Sequence, residues 1–485
     1  MTILRFCILT ILFIAHPAFA SDSISPAVIA KTKKAIVTIQ SRIAMAAYNE
    51  IGSWNGTGFI TDKKQGLIVT NAHVIGPASI GTYFVTFDTG QETEAKLVYY
   101  DSWQDLAVLK VDPALVPVSA EEIAFSKDLP SMNQEVFIIG NNEGQSFSIH
   151  TGSISSLYAI SGMMPQDSYI VNLNVAGGAS GSPLMNSKGE AVGLEYGGAK
   201  TYGLSLKSGY ITKVLDALKS GKQPTRKHMG AICNLYSLDK ATQHRHFPKD
   251  VMDKYLKDFP DARNRVVAVQ YTIVGSPSND ILKSGDIIWS INDIPVGPSL
   301  YTLDNAMDNS SDNIAKLVIY RDGQKISKEV SLYDVEANKV KKLLHFAGAT
   351  FFEADDHVSA KSGIPLKALS LVNVQTGSSF SVIPVSFAQN DRVFYRLGVT
   401  GMSENSVSTI DELIKIVPDL IKKKFIKVDF KNYQPYFPGF DTVWISSQDH
   451  ISSDITLDSI DTKPRLLRFD ETKLEWTAEE VSHDK

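Results

Sequence analysis

Cysteine is nearly absent: the chain has two, Cys7 and Cys233. Cys7 lies in an N-terminal apolar segment, so a processed chain keeps Cys233 alone and forms no intrachain disulfide. Stability must then come from packed cores, and the lone thiol reads as a small apolar core side chain. Clustered positive charge is missing too. The formal net charge is −5, and Lys422-Lys423-Lys424 is a short run leading into Phe425-Ile426-Lys427-Val428. Nucleic-acid partners need broad basic patches, so none is expected. There is no glycine-rich phosphate loop, and His244-Arg245-His246 lacks the cysteine or acidic partners that would complete a metal site. Neither a cofactor nor a metal is implied. Long apolar runs are confined to the start. Arg5 is the only charge in the first 20 residues, Phe6 to Ala15 is apolar, and Ala18-Phe19-Ala20 is a small-x-small cleavage site. Residues 1–20 thus read as a secretory signal, too short for a comfortable membrane span, and the chain is expected to be exported, with no stable span of its own.

What is present is a globular composition. With 43% hydrophobic and 21% charged residues the chain can build cores, and 485 residues exceed one core. Roughly two to four domains are expected. From Ala35 the pattern turns to short β-type runs with frequent glycine and polar turns, among them 35–39, 66–70, 83–87, 106–111, 135–139 and 191–194. Such punctuation argues for a mostly β barrel or sandwich rather than a βαβ fold. The first helical pattern is Tyr210 to Leu218. The polar stretch Lys219-Ser220-Gly221-Lys222-Gln223-Pro224 then marks a boundary. The expected layout is a signal at 1–20, a mobile lead-in at 21–34, a first domain at 35–220, a second at 226–338, a third at 339–450 and a tail at 451–485. The second unit carries a helix from Thr302 to Asn309 and a hairpin turning at Arg321-Asp322-Gly323-Gln324. The third carries a helix from Thr409 to Lys422. Their similar lengths and element order suggest a divergent duplication.

One stretch organises the rest: Asn174-Val175-Ala176-Gly177-Gly178-Ala179-Ser180-Gly181-Ser182-Pro183-Leu184. Glycines let consecutive N–H groups point at one spot and leave a serine hydroxyl uncovered, as a nucleophile beside an oxyanion hole requires. Upstream, Thr70-Asn71-Ala72-His73-Val74 follows a β-type run. Asp105 heads the apolar strand Leu106-Ala107-Val108-Leu109, 32 residues after His73, and Ser180 comes 75 residues later. A serine hydroxyl needs a base with a pKa near neutrality, and that base needs an anion behind it. The order His, Asp, Ser is one of three in which unrelated folds assemble this triad.

Residues 35–218 resemble the protease domain of the HtrA/Deg family of trypsin-fold serine proteases. The matching stretches are Gly56-Thr57-Gly58-Phe59-Ile60, Thr70-Asn71-Ala72-His73-Val74, Asp105 to Val111, and Gly178-Ala179-Ser180-Gly181-Ser182-Pro183-Leu184. The resemblance implies a chymotrypsin-like double β-barrel. It makes His73 the general base, Asp105 the orienting carboxylate and Ser180 the nucleophile, with the N–H groups of Gly178 and Ser180 as the oxyanion hole. Tyr202-Gly203-Leu204-Ser205-Leu206 resembles the strand lining the primary specificity pocket, which places Leu204 there. The family usually has Gly-Asn-Ser-Gly-Gly, whereas this chain has Ala179 and Ser182. If the last position needs a positive φ, the Cβ of Ser182 is penalised.

Leu282-Lys283-Ser284-Gly285-Asp286-Ile287-Ile288-Trp289-Ser290-Ile291-Asn292 resembles the core signature of PDZ domains in bacterial proteases. By position, Met229-Gly230-Ala231-Ile232 would be the loop that captures a peptide carboxylate. Phe346-Ala347-Gly348-Ala349-Thr350-Phe351 resembles the start of a second, divergent PDZ-like domain. Together these resemblances imply an ATP-independent endopeptidase of a bacterial envelope, periplasmic or secreted, that degrades unfolded or damaged proteins. They also imply C-terminal peptides as PDZ partners and assembly into homotrimers or multiples of them. The alternative is a proteolytically weak or inactive chaperone or peptide-binding protein on the same scaffold, and Ser182 is the residue that raises it.

Overall fold

The computed structural model describes residues 24–46, 51–76, 78–161, 164–383, 387–389, 392–394, 397–433, 440, 448–458 and 463–481. The expected signal at 1–20 lies outside them. Two closed barrels of six antiparallel strands follow the N-terminal segment. The first consists of β1 (Ile36–Ala46), β2 (Gly52–Asp62), β3 (Leu67–Thr70), β4 (Ser79–Phe87), β5 (Glu92–Asp101) and β6 (Leu106–Lys110), closed in the order β1-β2-β3-β6-β5-β4. The second consists of β7 (Glu135–Gly140), β8 (Ser148–Ser161), β9 (Gln166–Asn172), β10 (Pro183–Asn186), β11 (Ala191–Ala199) and β12 (Tyr202–Lys207), in the order β10-β11-β12-β9-β8-β7. Closure leaves no unpaired edge in either sheet, so a chain without disulfides satisfies its backbone internally. The mostly β double barrel expected from the sequence is what forms.

Each barrel has its own core, Val37, Ile39, Ile60, Val85 and Leu109 in the first and Val136, Ile138, Ile154, Val171 and Leu184 in the second. A third cluster lies between them. Phe59, Val69 and Val108 from one barrel pack with Phe137, Ile139, Met185 and Leu206 from the other, and helix α3 (Ser208–Lys219) adds Ile211 and Leu215. A fully buried side chain of this size contributes about 1.5–3 kcal/mol, so the seam is a major part of what holds the protease-like unit together. The lead-in expected to be mobile instead folds as helix α1 (Pro26–Lys33). Ser25 Oγ accepts the Val28 N–H at 3.2 Å and Pro26 occupies the first helical position, while Val28 and Ile29 pack against the seam. The helix is marginal alone and is held by that tertiary contact. Helix α2 (Ala72–Ile75) is a single turn after β3.

The second unit is a six-stranded sheet in which Ala231–Ser237 forms an edge beside Arg265–Thr272. The Asp-Gly hairpin forms as expected, with Arg321 paired to Gln324 across Asp322-Gly323. The helix runs Leu300–Asp308. The third unit is a nine-stranded sheet that takes in Gln448–Thr456, Arg465–Asp470 and Glu475–Glu480. The expected boundary at 450 therefore moves to about 480: Leu344 pairs with Leu466, a long-range partner that no local pattern reveals. The two units differ in strand number and order, so the expected likeness of element order does not hold.

The double-barrel unit and the second unit share an apolar seam. Ile160 packs against the second unit's core, and Trp103 and Met164 cluster with Ile232 and Ile273. Around this, Arg226 pairs with Asp101 at 2.7 Å, and Tyr210 donates its hydroxyl to Asp304 at 2.7 Å. Asp167 accepts from Ser299 Oγ and the Tyr301 N–H, each at 2.8 Å.

Candidate active site

His73 stands on α2, and Asp105 ends the turn before β6. The two residues meet twice. The His73 backbone N–H donates to Asp105 Oδ1 at 2.8 Å, and His73 Nδ1 lies 2.6 Å from Asp105 Oδ2. Asp105 takes a left-handed backbone, φ 49°, which aspartate tolerates. Asn71 Nδ2 holds its carbonyl at 2.9 Å. With a carboxylate oxygen at Nδ1, the neutral ring carries its proton there and leaves a lone pair on Nε2. Burial alone would lower the His73 pKa; the charge of Asp105 and its hydrogen bond outweigh this and hold the pKa above the ordinary 6.5. The ring is still open to solvent, with 48% of its side chain exposed, so a substrate can reach it.

Ser180 is half-buried on the turn between β9 and β10. Thr57, fully buried in β2, ties that turn to the His73 segment. The Thr57 N–H donates to the Ser180 carbonyl at 2.9 Å, and the Thr57 carbonyl accepts from Thr70 Oγ1 at 2.7 Å. Thr57 Oγ1 donates to the Gly178 carbonyl at 2.7 Å and accepts the Asn141 N–H at 2.9 Å. Both barrels and the serine turn therefore converge on one threonine. The sequence reading used Thr57 only as part of a match; its signal was a hydroxyl within the strand motif Gly-Thr-Gly.

The turn also orients its N–H groups. The Gly177 carbonyl accepts from Glu143 N at 2.9 Å, and the Ala179 carbonyl from Ser182 N at 3.0 Å. In a trans peptide the N–H points opposite the carbonyl, so tethering these two carbonyls turns the N–H groups of Gly178 and Ser180 to the other side. Neither donates to a backbone carbonyl among the described residues. Gly178 has φ +96°, and a Cβ there would lie 2.2 Å from the Asn141 carbonyl oxygen. Gly178→Ala is therefore expected to shift this peptide and lower kcat by about 10²-fold or more, the usual effect of losing one oxyanion donor. Peptide hydrolysis under saturating substrate would measure it.

Ser182 is not among the residues with positive φ, so its Cβ meets no backbone penalty. It is fully buried and its hydroxyl has no hydrogen-bond partner among the described residues. An unsatisfied buried hydroxyl costs about 1–3 kcal/mol. Ser182→Ala is expected to keep activity and to leave the melting temperature unchanged or raised, as calorimetry and a casein assay would report.

Leu204 is half-buried, and its N–H donates to Glu195 Oε1 at 3.0 Å. Glu195 itself escaped the sequence reading, which ended the strand at Leu194. Its backbone brackets the serine turn: Gly181 N donates to its carbonyl and its N–H donates to the Ser182 carbonyl, each at 2.8 Å. The Met229–Ile232 loop is placed elsewhere and is closed. Met229, Ala231 and Ile232 are buried, the Gly230 N–H donates to His228 Nδ1 at 2.9 Å, and Ile160 and Met164 pack over the segment. The structure thus brings Asp105 onto His73 and ties the Ser180 turn to the His73 segment through Thr57, with no hydrogen bond between Ser180 Oγ and the His73 ring, while the Met229–Ile232 loop packs in the core of the second unit. Among the described residues, no group of three or more histidine, cysteine or acidic side chains gathers as a metal site, and no helix is long and apolar enough to cross a membrane.

Residues 56–194 match the trypsin-like peptidase domain. An uncharacterised protein of Rickettsia prowazekii is 46% identical over 187 residues, covering 38% of this chain and 96% of its own length. The pro-apoptotic serine protease NMA111 of Meyerozyma guilliermondii is 25% identical over 420 residues, covering 84% of this chain. The chain spans 41% of that fungal relative's length. Among solved structures, the serine endoprotease from Yersinia pestis superposes with a TM-score of 0.42 at 21% identity, over 63% of this chain and 96% of that one.

Proposed function

The chain belongs to the HtrA family of trypsin-fold serine proteases, and from that premise we propose that it is an active serine endopeptidase working through His73, Asp105 and Ser180. The observation that carries the reading is the double contact of Asp105 with His73, its backbone N–H and Nδ1 both engaged. In this mechanism Ser180 Oγ attacks the scissile carbonyl while His73 Nε2 takes its proton. Oxygen charge develops at the N–H groups of Gly178 and Ser180, and His73 then protonates the leaving amine. Water, activated by the same imidazole, releases the acyl group from Ser180. Asp105 stabilises the imidazolium formed in each half-reaction and keeps its negative charge throughout. The backbone of Ser182 is compatible with this reading, which removes the main reason for the inactive-scaffold alternative.

The substrates on this reading are unfolded or damaged proteins. The chain would be exported to a bacterial envelope, would assemble as a trimer or a multiple of it, and would be controlled through PDZ-like second and third units. The test is incubation with unfolded casein together with fluorophosphonate labelling. Cleavage, and a label mapped to Ser180, are the expected results. Intact casein and an unlabelled Ser180 would sink the enzyme reading.

A further inference from the structure

Glu195 is a carboxyl group with 1% exposure, one strand away from the serine turn. The segments 175–181 and 195–199 run side by side. They are joined at one end by Gly181 N to the Glu195 carbonyl, 2.8 Å, and at the other by Val175 N to the Ala199 carbonyl, 3.5 Å. Between the joins, Gly177 and Gly197 carry no side chain, and a methyl group on either would touch nothing within 4 Å. The two segments thus leave a slot beside Ser180. The Glu195 side chain turns toward β12. Leu204 N donates to Oε1 at 3.0 Å, Ser205 Oγ donates to Oε2 at 2.6 Å, and the Gly197 N–H is a third donor. A Cβ on Gly203 would lie 2.9 Å from Oε1, so the carboxyl lies directly against that residue.

Three donors leave one of a carboxylate's roughly four lone-pair sites unfilled. No cation enters among the influences on this group from the described residues. A buried carboxyl is costly without a countercharge. Burial pushes the Glu195 pKa up to about 8 against the pull of its three donors, so without a countercharge the group keeps its proton at neutral pH, and a cation beside it would let it ionise. A side chain that brings a positive charge into the slot would supply what the protein does not. We propose that Glu195 sets the specificity of this site, selecting lysine or arginine as the residue whose carbonyl Ser180 attacks. This rests on the protease reading above and deepens it. The logic is that of trypsin, where an acid at the base of the pocket selects the residue before the cleaved bond, here with the acid supplied at a different place in the sheet, from β11 rather than from the serine turn.

The test uses the full chain and peptides that differ only at the residue before the cleaved bond: lysine, arginine, methionine, leucine, valine and alanine. Lysine and arginine are expected to lead methionine and leucine in kcat/KM by about tenfold or more, and Glu195→Gln is expected to erase that lead. Benzamidine, a small amidinium, should also slow fluorophosphonate labelling of Ser180 in the unmodified chain, a readout that does not depend on the variant folding. A lead for leucine, valine or alanine, with no protection by benzamidine, would overturn the inference while leaving the protease reading standing. Failure of the chain to cleave casein or any of the peptides would instead overturn the protease reading, and this inference with it.

Discussion

Ser180→Ala is expected to reduce the turnover of unfolded casein by ~10⁴-fold or more. The change removes only an oxygen that makes no hydrogen bond to the described residues, whereas the turn is held by its backbone. Thr57 holds the Ser180 carbonyl and the Ala179 carbonyl is held by Ser182. The variant should therefore melt at the same temperature as the unmodified chain, within a degree or so expected for a surface substitution. Steady-state hydrolysis combined with calorimetry separates the outcomes. A small loss of activity would mean that another nucleophile does the chemistry. A large loss accompanied by unfolding would mean that the hydroxyl is structural.

The second large effect is expected for Asp105→Asn, again ~10⁴-fold in kcat, the size of loss that the same exchange causes in a chymotrypsin-like triad. Asparagine tolerates the left-handed backbone at φ 49°, so the loop and the Asn71 contact should survive. What is lost is the charge. An amide nitrogen facing Nδ1 would favour the wrong tautomer and no longer stabilise the imidazolium. The pH profile supplies a separate reading. His73 must be neutral to act as base, and its pKa is raised, so kcat/KM of the unmodified enzyme should fall as pH drops through a midpoint above 6.5. Without the charge and hydrogen bond of Asp105, which raise the His73 pKa, the midpoint should move down. The same shift has a stability sign. A histidine with a raised folded pKa stabilises the fold below its unfolded value near 6.5, and that contribution disappears as pH rises through the folded value. Asp105→Asn should thus lower the melting temperature more at a pH about one unit below 6.5 than at one about two units above it, and proton NMR of the His73 ring would follow both effects.

Much of the site was legible because its chemistry depends on residue type. A base, an acid and a hydroxyl in the order His73, Asp105, Ser180, each at a strand end or glycine turn, can be read without coordinates. The barrels were legible from short alternating strands, and the hairpin at Asp322-Gly323 from the turn chemistry that those two residues favour. What stayed hidden depended on pairing across the chain. Thr57 matters because it faces Gly178 and Asn141, residues 121 and 84 positions away. Glu195 follows the apolar run 191–194 and drew no attention there; only the bulged pairing with β12 turns its side chain onto Leu204 and Ser205. Strand Arg465–Asp470 was invisible for the same reason, since its register is set by Lys342–Phe346. Local composition also misjudged α1, whose order comes from packing against the seam rather than from its own helical preference.

The apolar seam beside Arg226 has a consequence for the newborn chain. Ile160, Met164 and Trp103 find their apolar partners in a unit that spans residues 226 to 338 and is made later. At about 5–20 residues per second, synthesis of that stretch takes on the order of ten seconds. During that interval the barrels can close around Thr57 while the face that will meet the second unit is still bare. The barrels are thus able to close before that apolar face is covered, and exposed apolar surface of this kind is prone to aggregation until it is.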